Sequence, residues 1–285
     1  MLKLKGSKFF TKLALRWGYN NVHIKEGDEW KAAFVTNQGL FEPTVMFFGL
    51  RNSPATFQAM MDNYFRDLID QGWIVIYMGD ILIHVHTKQE LEHRTKLVLA
   101  RLQDHNLYLK LEKCKFTREE VEFLGMIITK DTKKMDPIKL AGIRDWPIPN
   151  TVKQTCSFLG FGNYYRRFIS GFAHLARPLH DLTKKNKIWD WTPECQVAFD
   201  LLKTRFTTAP VLMMPDVNKP FILETDASKW AVGAALMQKD KNDQIHPCGY
   251  LSHTLTPTER NWQIYDRELY IITCDTQYLP HEMCK

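Results

Sequence analysis

The sequence predicts an α+β protein that passes into an α-rich middle and ends in a second α/β unit. Three observations carry this. First, "WIVIYMGDILIHVH", Trp73 to His86, sets two β-branched apolar runs around Met78-Gly79-Asp80. That is the pattern of a tight hairpin, with glycine expected to supply the positive φ at the bend. Second, amphipathic helical stretches stand on either side of it. Third, the composition shifts at "DPIKLAGIRDWPIPNTVKQ", and strand-type runs resume only from Lys219.

In chain order, "KFFTKLALRWGYNNVHI" (Lys8 to Ile24) and "KAAFVTNQGLFEPTVMFFGL" (Lys31 to Leu50) read as strands joined by turns. "SPATFQAMMDNYFRDLIDQG" reads as a helix, with Ser53 as N-cap, Pro54 in the first turn, Phe57, Met61 and Phe65 on one face, and Gly72 closing it. After the hairpin, "TKQELEHRTKLVLARLQDHN" is a second amphipathic helix with Leu91, Val98 and Leu102 on its apolar face. "LEKCKFTREEVEFLGMIIT" returns to short strands. A helical stretch follows from about Thr151 to Phe172, and "WTPECQVAFDLLKTRF" is a helix capped by Thr192 with Pro193 behind it. "PFILETDAS", "WAVGAALMQKD" and "IHPCGYLSHTL" are strands, and Thr256-Pro257-Thr258-Glu259 is a capping box opening a last helix.

Composition narrows the class. The chain has 285 residues, 45% hydrophobic and 25% charged, as soluble globular proteins do, and is long enough for more than one core. A net charge of +6 suits a polyanionic partner without demanding one. Six scattered cysteines with no C-x-x-C pair suggest reduced thiols in an intracellular compartment, not a disulfide frame or a zinc site. No apolar run reaches the length of a membrane span, and the basic start "MLKLKGSKFFTKL" enters a strand pattern instead of a signal peptide.

The arrangement of motifs resembles the reverse transcriptase of gypsy-type long-terminal-repeat retrotransposons. "FFGLRNSPATFQ" (Phe47 to Gln58) is similar to the motif that holds the template and the nucleotide base, and "YMGD" (Tyr77 to Asp80) to the catalytic hairpin Y-x-D-D. "LEKCKF" and "EFLGMIIT" resemble the motifs that follow. "FLGFGNYYRRFI" and "FILETDASKWAVGAALMQ" resemble the thumb–connection segment and the opening of the RNase H domain. The likeness runs from Lys8 to about Tyr270. It implies a palm over residues 1–130 with most of the fingers missing, a mostly helical thumb and connection over 131–215, and a truncated RNase H-like domain over 216–285. The expected partner is an RNA or DNA primer–template, with other polyprotein segments as further candidates and no membrane.

The family's chemistry explains an acid at a greasy hairpin tip. Nucleotidyl transfer uses two magnesium ions, and magnesium takes oxygen ligands, so the family places three palm aspartates around them. Here two of the three positions hold other residues: Ala14 in "TKLALRWGY" and Gly79 in "YMGD". Asp80 alone remains as catalytic acid and metal ligand, which implies a polymerase site stripped of turnover. The alternative is a non-catalytic protein that still binds primer–template.

By the same resemblance, Tyr19 stands where the family excludes a ribose 2′-hydroxyl, although it reads equally as a core tyrosine. Gly49 and Gln58 lie in the nucleotide and template motif, the glycine doubling as turn chemistry. Lys113 is placed to meet pyrophosphate, or is a surface lysine. Tyr165, Arg166 and Arg167 in "YYRRF" interleave aromatic and basic groups and could track a nucleic-acid backbone; on a continuous helix, Tyr164 and Phe168 would instead share a core face. His84 and His86 alternate along a strand and read as solvated residues. In the last unit, Asp226 of "TDAS" and Glu268 of "YDRELY" match the first two RNase H metal ligands. The family's other two lie in later elements, so no nuclease activity is expected, and an unpaired sheet edge is.

Overall fold

The computed structural model describes residues 4–278, the side chains of 272 and 274–278 excepted, and divides them into two compact units, 4–123 and 124–278.

In the first unit, β1 (Phe9–Ala14) precedes two 3-10 turns at Gly18–Asn21 and Glu29–Ala32, then β2 (Phe34–Thr36) and β3 (Gly39–Phe41). Two helices follow, α1 (Ser53–Tyr64) and α2 (Arg66–Asp70), and then the hairpin strands β4 (Ile74–Tyr77) and β5 (Asp80–Val85). Helix α3 (Lys88–Asp104) leads to a 3-10 turn at Leu111–Lys113 and to β6 (Lys115–Arg118) and β7 (Val121–Phe123). Four of these strands make an antiparallel sheet in the order β4-β5-β1-β6. Its alternating apolar residues Ile74, Ile81 and Ile83 meet Phe57, Met61 and Phe65 of the helical layer and Leu91, Val98 and Leu102 of α3, all buried. The helical spacing of these residues already marked that face. Thr87 caps α3 by accepting from the Glu90 N–H at 3.2 Å.

The second unit begins with β8 (Met126–Ile128), β9 (Thr132–Met135) and α4 (Pro137–Arg144). Helices α5 (Val152–Tyr165), α6 (Phe172–Leu175), α7 (Arg177–Leu182) and α8 (Pro193–Thr207) follow, then β10 (Leu212–Met213), which pairs antiparallel with β9. Phe158, Phe172, Phe199, Leu202 and Phe206 fill the helical core. Three long strands, β11 (Ile222–Ala227), β12 (Ala231–Lys239) and β13 (Ile245–Thr254), form an antiparallel meander, and α9 (Ile264–Tyr278) packs on β11 and β12. Among the described residues the other edge of β11 carries no strand.

Several local expectations are corrected. The positive φ of the hairpin turn belongs to Met78 (+53°), and Gly79 lies outside the left-handed region. Asn52, not Ser53, is the N-cap of α1; Ser53 is buried inside the first turn, its hydroxyl donating to the Phe47 carbonyl. The stretch 151–172 is not one helix, because α5 gives way to a 3-10 turn at Arg166–Phe168. Tyr164 is consequently 56% exposed while Phe168 is buried, and they share no face. The capping box forms, with Thr256 N–H donating to Glu259 Oε2 (2.6 Å) and Glu259 N–H to Thr256 Oγ1 (3.3 Å). It opens only the 3-10 turn Glu259–Asn261, however, and α9 starts at Ile264. His84 is buried, its Nδ1 2.9 Å from Ser7 Oγ, because it lies on the inner half of β5; His86 stays exposed.

Among the described residues, Cys114, Cys156, Cys195 and Cys248 form no disulfide. Among the described residues no helix is long and apolar enough to cross a membrane.

Candidate functional site

The register of the central sheet positions the acid. Ala14 ends β1 directly opposite Asp80, which opens β5, and Asp80 also pairs with Tyr77 across the hairpin. Directly opposed residues on antiparallel strands present their Cβ atoms to the same face, about 5 Å apart. The carboxylate at 80 therefore faces a methyl group at 14, and Ala14 is only 4% exposed. The strand end is fixed by Leu15 N–H donating to the Gly79 carbonyl (2.8 Å) and Lys110 N–H to the Ala14 carbonyl (2.8 Å).

Gln58 holds the turn from below. Its Oε1 accepts from the Met78 N–H at 2.6 Å, and its Nε2 donates to the Ile76 carbonyl (3.2 Å) and to Asp62 Oδ1 (2.8 Å). The amide expected to meet template or nucleotide is thus committed to the hairpin backbone. Gly49, with φ +111° and nothing near its missing Cβ, fits turn chemistry.

A cleft of about 840 Å³ opens beside the turn, lined by Gly79, Met78, Tyr19 and Lys113 among others. Tyr19 lines this cleft while its ring packs on Phe48 (4.9 Å) and Phe57 (5.6 Å). Sequence reading missed Arg16, Trp17 and Lys110, which line the same cleft. Trp17 is 67% exposed, in the left-handed region at φ +50°, with the Arg16 guanidinium 4.1 Å from its ring centre. A bulky residue held at positive φ is a recognisable strain, and only coordinates display it.

In the second unit, Asp226 lies on β11 opposite Gly233, exposed, and Glu268 is exposed on α9, the helix packed against that strand. "YYRRF" divides by role. Tyr165 is 3% exposed and its hydroxyl donates to the Gly125 carbonyl at 2.9 Å. Arg166 donates to the Ser252 carbonyl and to Asn163 Oδ1 and sits over the Phe172 ring. These two are tied into the fold of the unit, which leaves Arg167 as the exposed cation of the three. Arg167 also acts on Lys133: burial, reinforced by that guanidinium, lowers the Lys133 amine to about 8.

Two family profiles match the sequence: "Reverse transcriptase (RNA-dependent DNA polymerase)" over residues 1–128 and "RNase H-like domain found in reverse transcriptase" over 191–283. The chain is 39% identical over 280 residues to a retrovirus-related Pol polyprotein from transposon 297 of Drosophila melanogaster, and 35% over 281 residues to the transposon Tf2-3 polyprotein of Schizosaccharomyces pombe. Residues 1–128 thus match the reverse transcriptase family and residues 191–283 its RNase H-like domain, and the relatives are Pol polyproteins of transposons. The alignments cover 98% and 99% of this chain but only 26% and 21% of those two relatives. Its fold is that of solved reverse transcriptases. A foamy viral protease-reverse transcriptase in complex with RNA/DNA hybrid superposes with TM-score 0.82 at 24% identity, covering 99% of this chain and 38% of that one. A foamy viral protease-reverse transcriptase in complex with dsDNA gives 0.76 at 25% identity, over 96% and 58%.

Reverse transcriptases use divalent metal, so the donor set of this chain can be tested against it. Hard divalent ions need several oxygens converging on one point. Around the hairpin the position opposite Asp80 offers a methyl, the position before it no side chain, and Cys114 Sγ accepts from the Ala14 N–H at 3.4 Å. Among the described residues no group of three or more His, Cys, Asp or Glu is gathered to hold a metal. The palm residues do not fit a pair of ions.

Proposed function

We propose that this chain has lost RNA-directed DNA polymerisation. The observation that supports it best is the strand pairing of Ala14 with Asp80, with Gly79 at the turn: one carboxylate stands where the family's chemistry needs three. Phosphoryl-transfer catalysis is mostly positioning and charge stabilisation, so removing two of three ligands costs several orders of magnitude in rate. The residues that stay in place orient the site without completing it: Gln58 fixes the turn and Tyr19 walls the cleft. On this reading residues 1–130 are the palm, 131–215 the thumb and connection, and 216–285 the RNase H-like part. There Asp226 and Glu268 keep the place of the first two magnesium ligands.

Primer extension on an RNA template, with magnesium and then manganese, tests the reading. No incorporation is expected, and clear extension by the purified chain refutes it.

A second reading is favoured by the cations Arg16, Lys113 and Arg167, which are exposed, and by the nucleic acid held by the solved relatives. It is that the chain binds primer–template without chemistry. Fluorescence anisotropy with an RNA–DNA hybrid measures it, and an affinity independent of salt would exclude phosphate-driven binding.

A further inference from the structure

Far along the sequence from the palm hairpin, the second unit contains a cleft of about 640 Å³ between α7, the start of β12 and the loop after β13. Its centre is Trp230, half-buried, with the Arg177 and Arg260 guanidinium carbons each 4.5 Å from the ring centre and Lys229 Nζ at 5.7 Å. Those distances put the two guanidiniums no more than 9.0 Å apart. Neither has a carboxylate partner among the described residues. The acids nearby are already engaged: Asp181 pairs with Lys184 at 2.6 Å, and Glu259 turns its carboxylate onto the Thr256 N–H. His180 also lines the cleft; burial, then the Arg166 charge, lowers its pKa.

A guanidinium stacked on an indole spends its face on the ring and keeps the N–H donors along its edge. Arg260 uses one of these, Nε, on the Leu255 carbonyl at 3.1 Å. The remaining edges of two uncompensated arginines, held by one rigid aromatic in a concave surface, form a fork for oxygen anions. The geometry points to a phosphate-binding site at Arg177, Trp230 and Arg260, which takes clustered phosphate oxygens, either the backbone of a nucleic acid or a free polyphosphate. It is separate from the palm and uses neither Asp226 nor Glu268. Its nucleic-acid form rests on the binding reading above; its polyphosphate form does not.

Two measurements on the full chain test it. In the first, affinity for a labelled RNA–DNA hybrid is followed between 50 and 200 mM KCl. Each phosphate contact contributes about 0.9 to the log–log slope, so Arg177→Gln with Arg260→Gln should flatten it by about 1.8, a roughly 12-fold smaller loss over that salt range. Arg177→Lys with Arg260→Lys should restore the slope. The exposed pair Lys139→Gln and Lys153→Gln, with the same change in net charge, should leave it near wild type. In the second, tripolyphosphate should raise the melting temperature of the wild type and not of the glutamine pair.

Stabilisation by tripolyphosphate with no hybrid binding by the wild type would keep the site and reject the nucleic-acid reading. Hybrid binding whose slope is the same in wild type and glutamine pair, with no tripolyphosphate effect, would remove the site and leave that reading standing. An equal flattening by the Lys139 and Lys153 pair would also overturn it.

Discussion

Replacing Ala14 and Gly79 together by aspartate should make the stability of the first unit depend on magnesium. The magnitude follows from the register. Ala14 lies directly opposite Asp80, so a carboxylate there sits about 5 Å from the one already present. Two like charges at about 5 Å repel by ~1 kcal/mol in water and ~3 kcal/mol at the effective dielectric of a protein surface. Ala14 is 4% exposed, which favours the upper figure. Sterics do not confuse the result at the turn, because a Cβ at Gly79 would meet only Leu15 Cβ, at an ordinary 3.8 Å. In EDTA, then, the 14–80 repulsion alone should lower the melting temperature of the double variant by ~6–12 °C, taking ~2–4 °C per kcal/mol. Magnesium at 100 times its dissociation constant would return about 2.7 kcal/mol, most of the loss. The assay is a thermal melt followed by circular dichroism, with EDTA and with magnesium chloride, for both proteins. Wild type should not respond. A wild type stabilised by magnesium as much as the variant, or a variant unaffected in EDTA, would refute the argument that the palm lacks a metal cage.

Two more outcomes follow from local geometry. Gln58→Ala removes the acceptor from the Met78 N–H and the donor to the Ile76 carbonyl, and should cost ~1–3 kcal/mol in urea unfolding; an unchanged midpoint would return Gln58 to a template-facing role. Lys133 has its pKa lowered from 10.5 to about 8, first by burial and then by Arg167. Between pH 8 and 10.5 the unfolded chain holds this proton and the folded chain does not, so stability should rise with pH across that window. Below pH 8 the full penalty, ~3 kcal/mol, is present. Lys133→Met should therefore stabilise the chain at pH 7 and flatten the profile; identical profiles for the two proteins would show that the amine is well solvated.

Much of this molecule could be read from the letters. The apolar periodicity of Phe57, Met61 and Phe65, of Leu91, Val98 and Leu102, and of the hairpin strands fixed which faces are buried, because burial follows residue type at helical or strand spacing. Caps were legible where side chain and backbone are neighbours in sequence, as at Thr192. They were misjudged where adjacent residues competed, as Ser53 did with Asn52. The replaced ligands at Ala14 and Gly79 were visible as substitutions within motifs.

What the letters could not supply were partners distant in sequence. That Gln58 clamps the hairpin, that Tyr165 is tied to Gly125, and that Arg177 and Arg260 meet on Trp230 depend on contacts 20 to 53 positions apart. A polar or cationic side chain looks the same in sequence whether it faces a ligand or a backbone carbonyl. The free energy that decides between them comes from groups brought close only by the tertiary fold. Sequence therefore determined the family, the buried faces and the missing acids, and the folded chain decided which of the remaining polar groups are still available to bind anything.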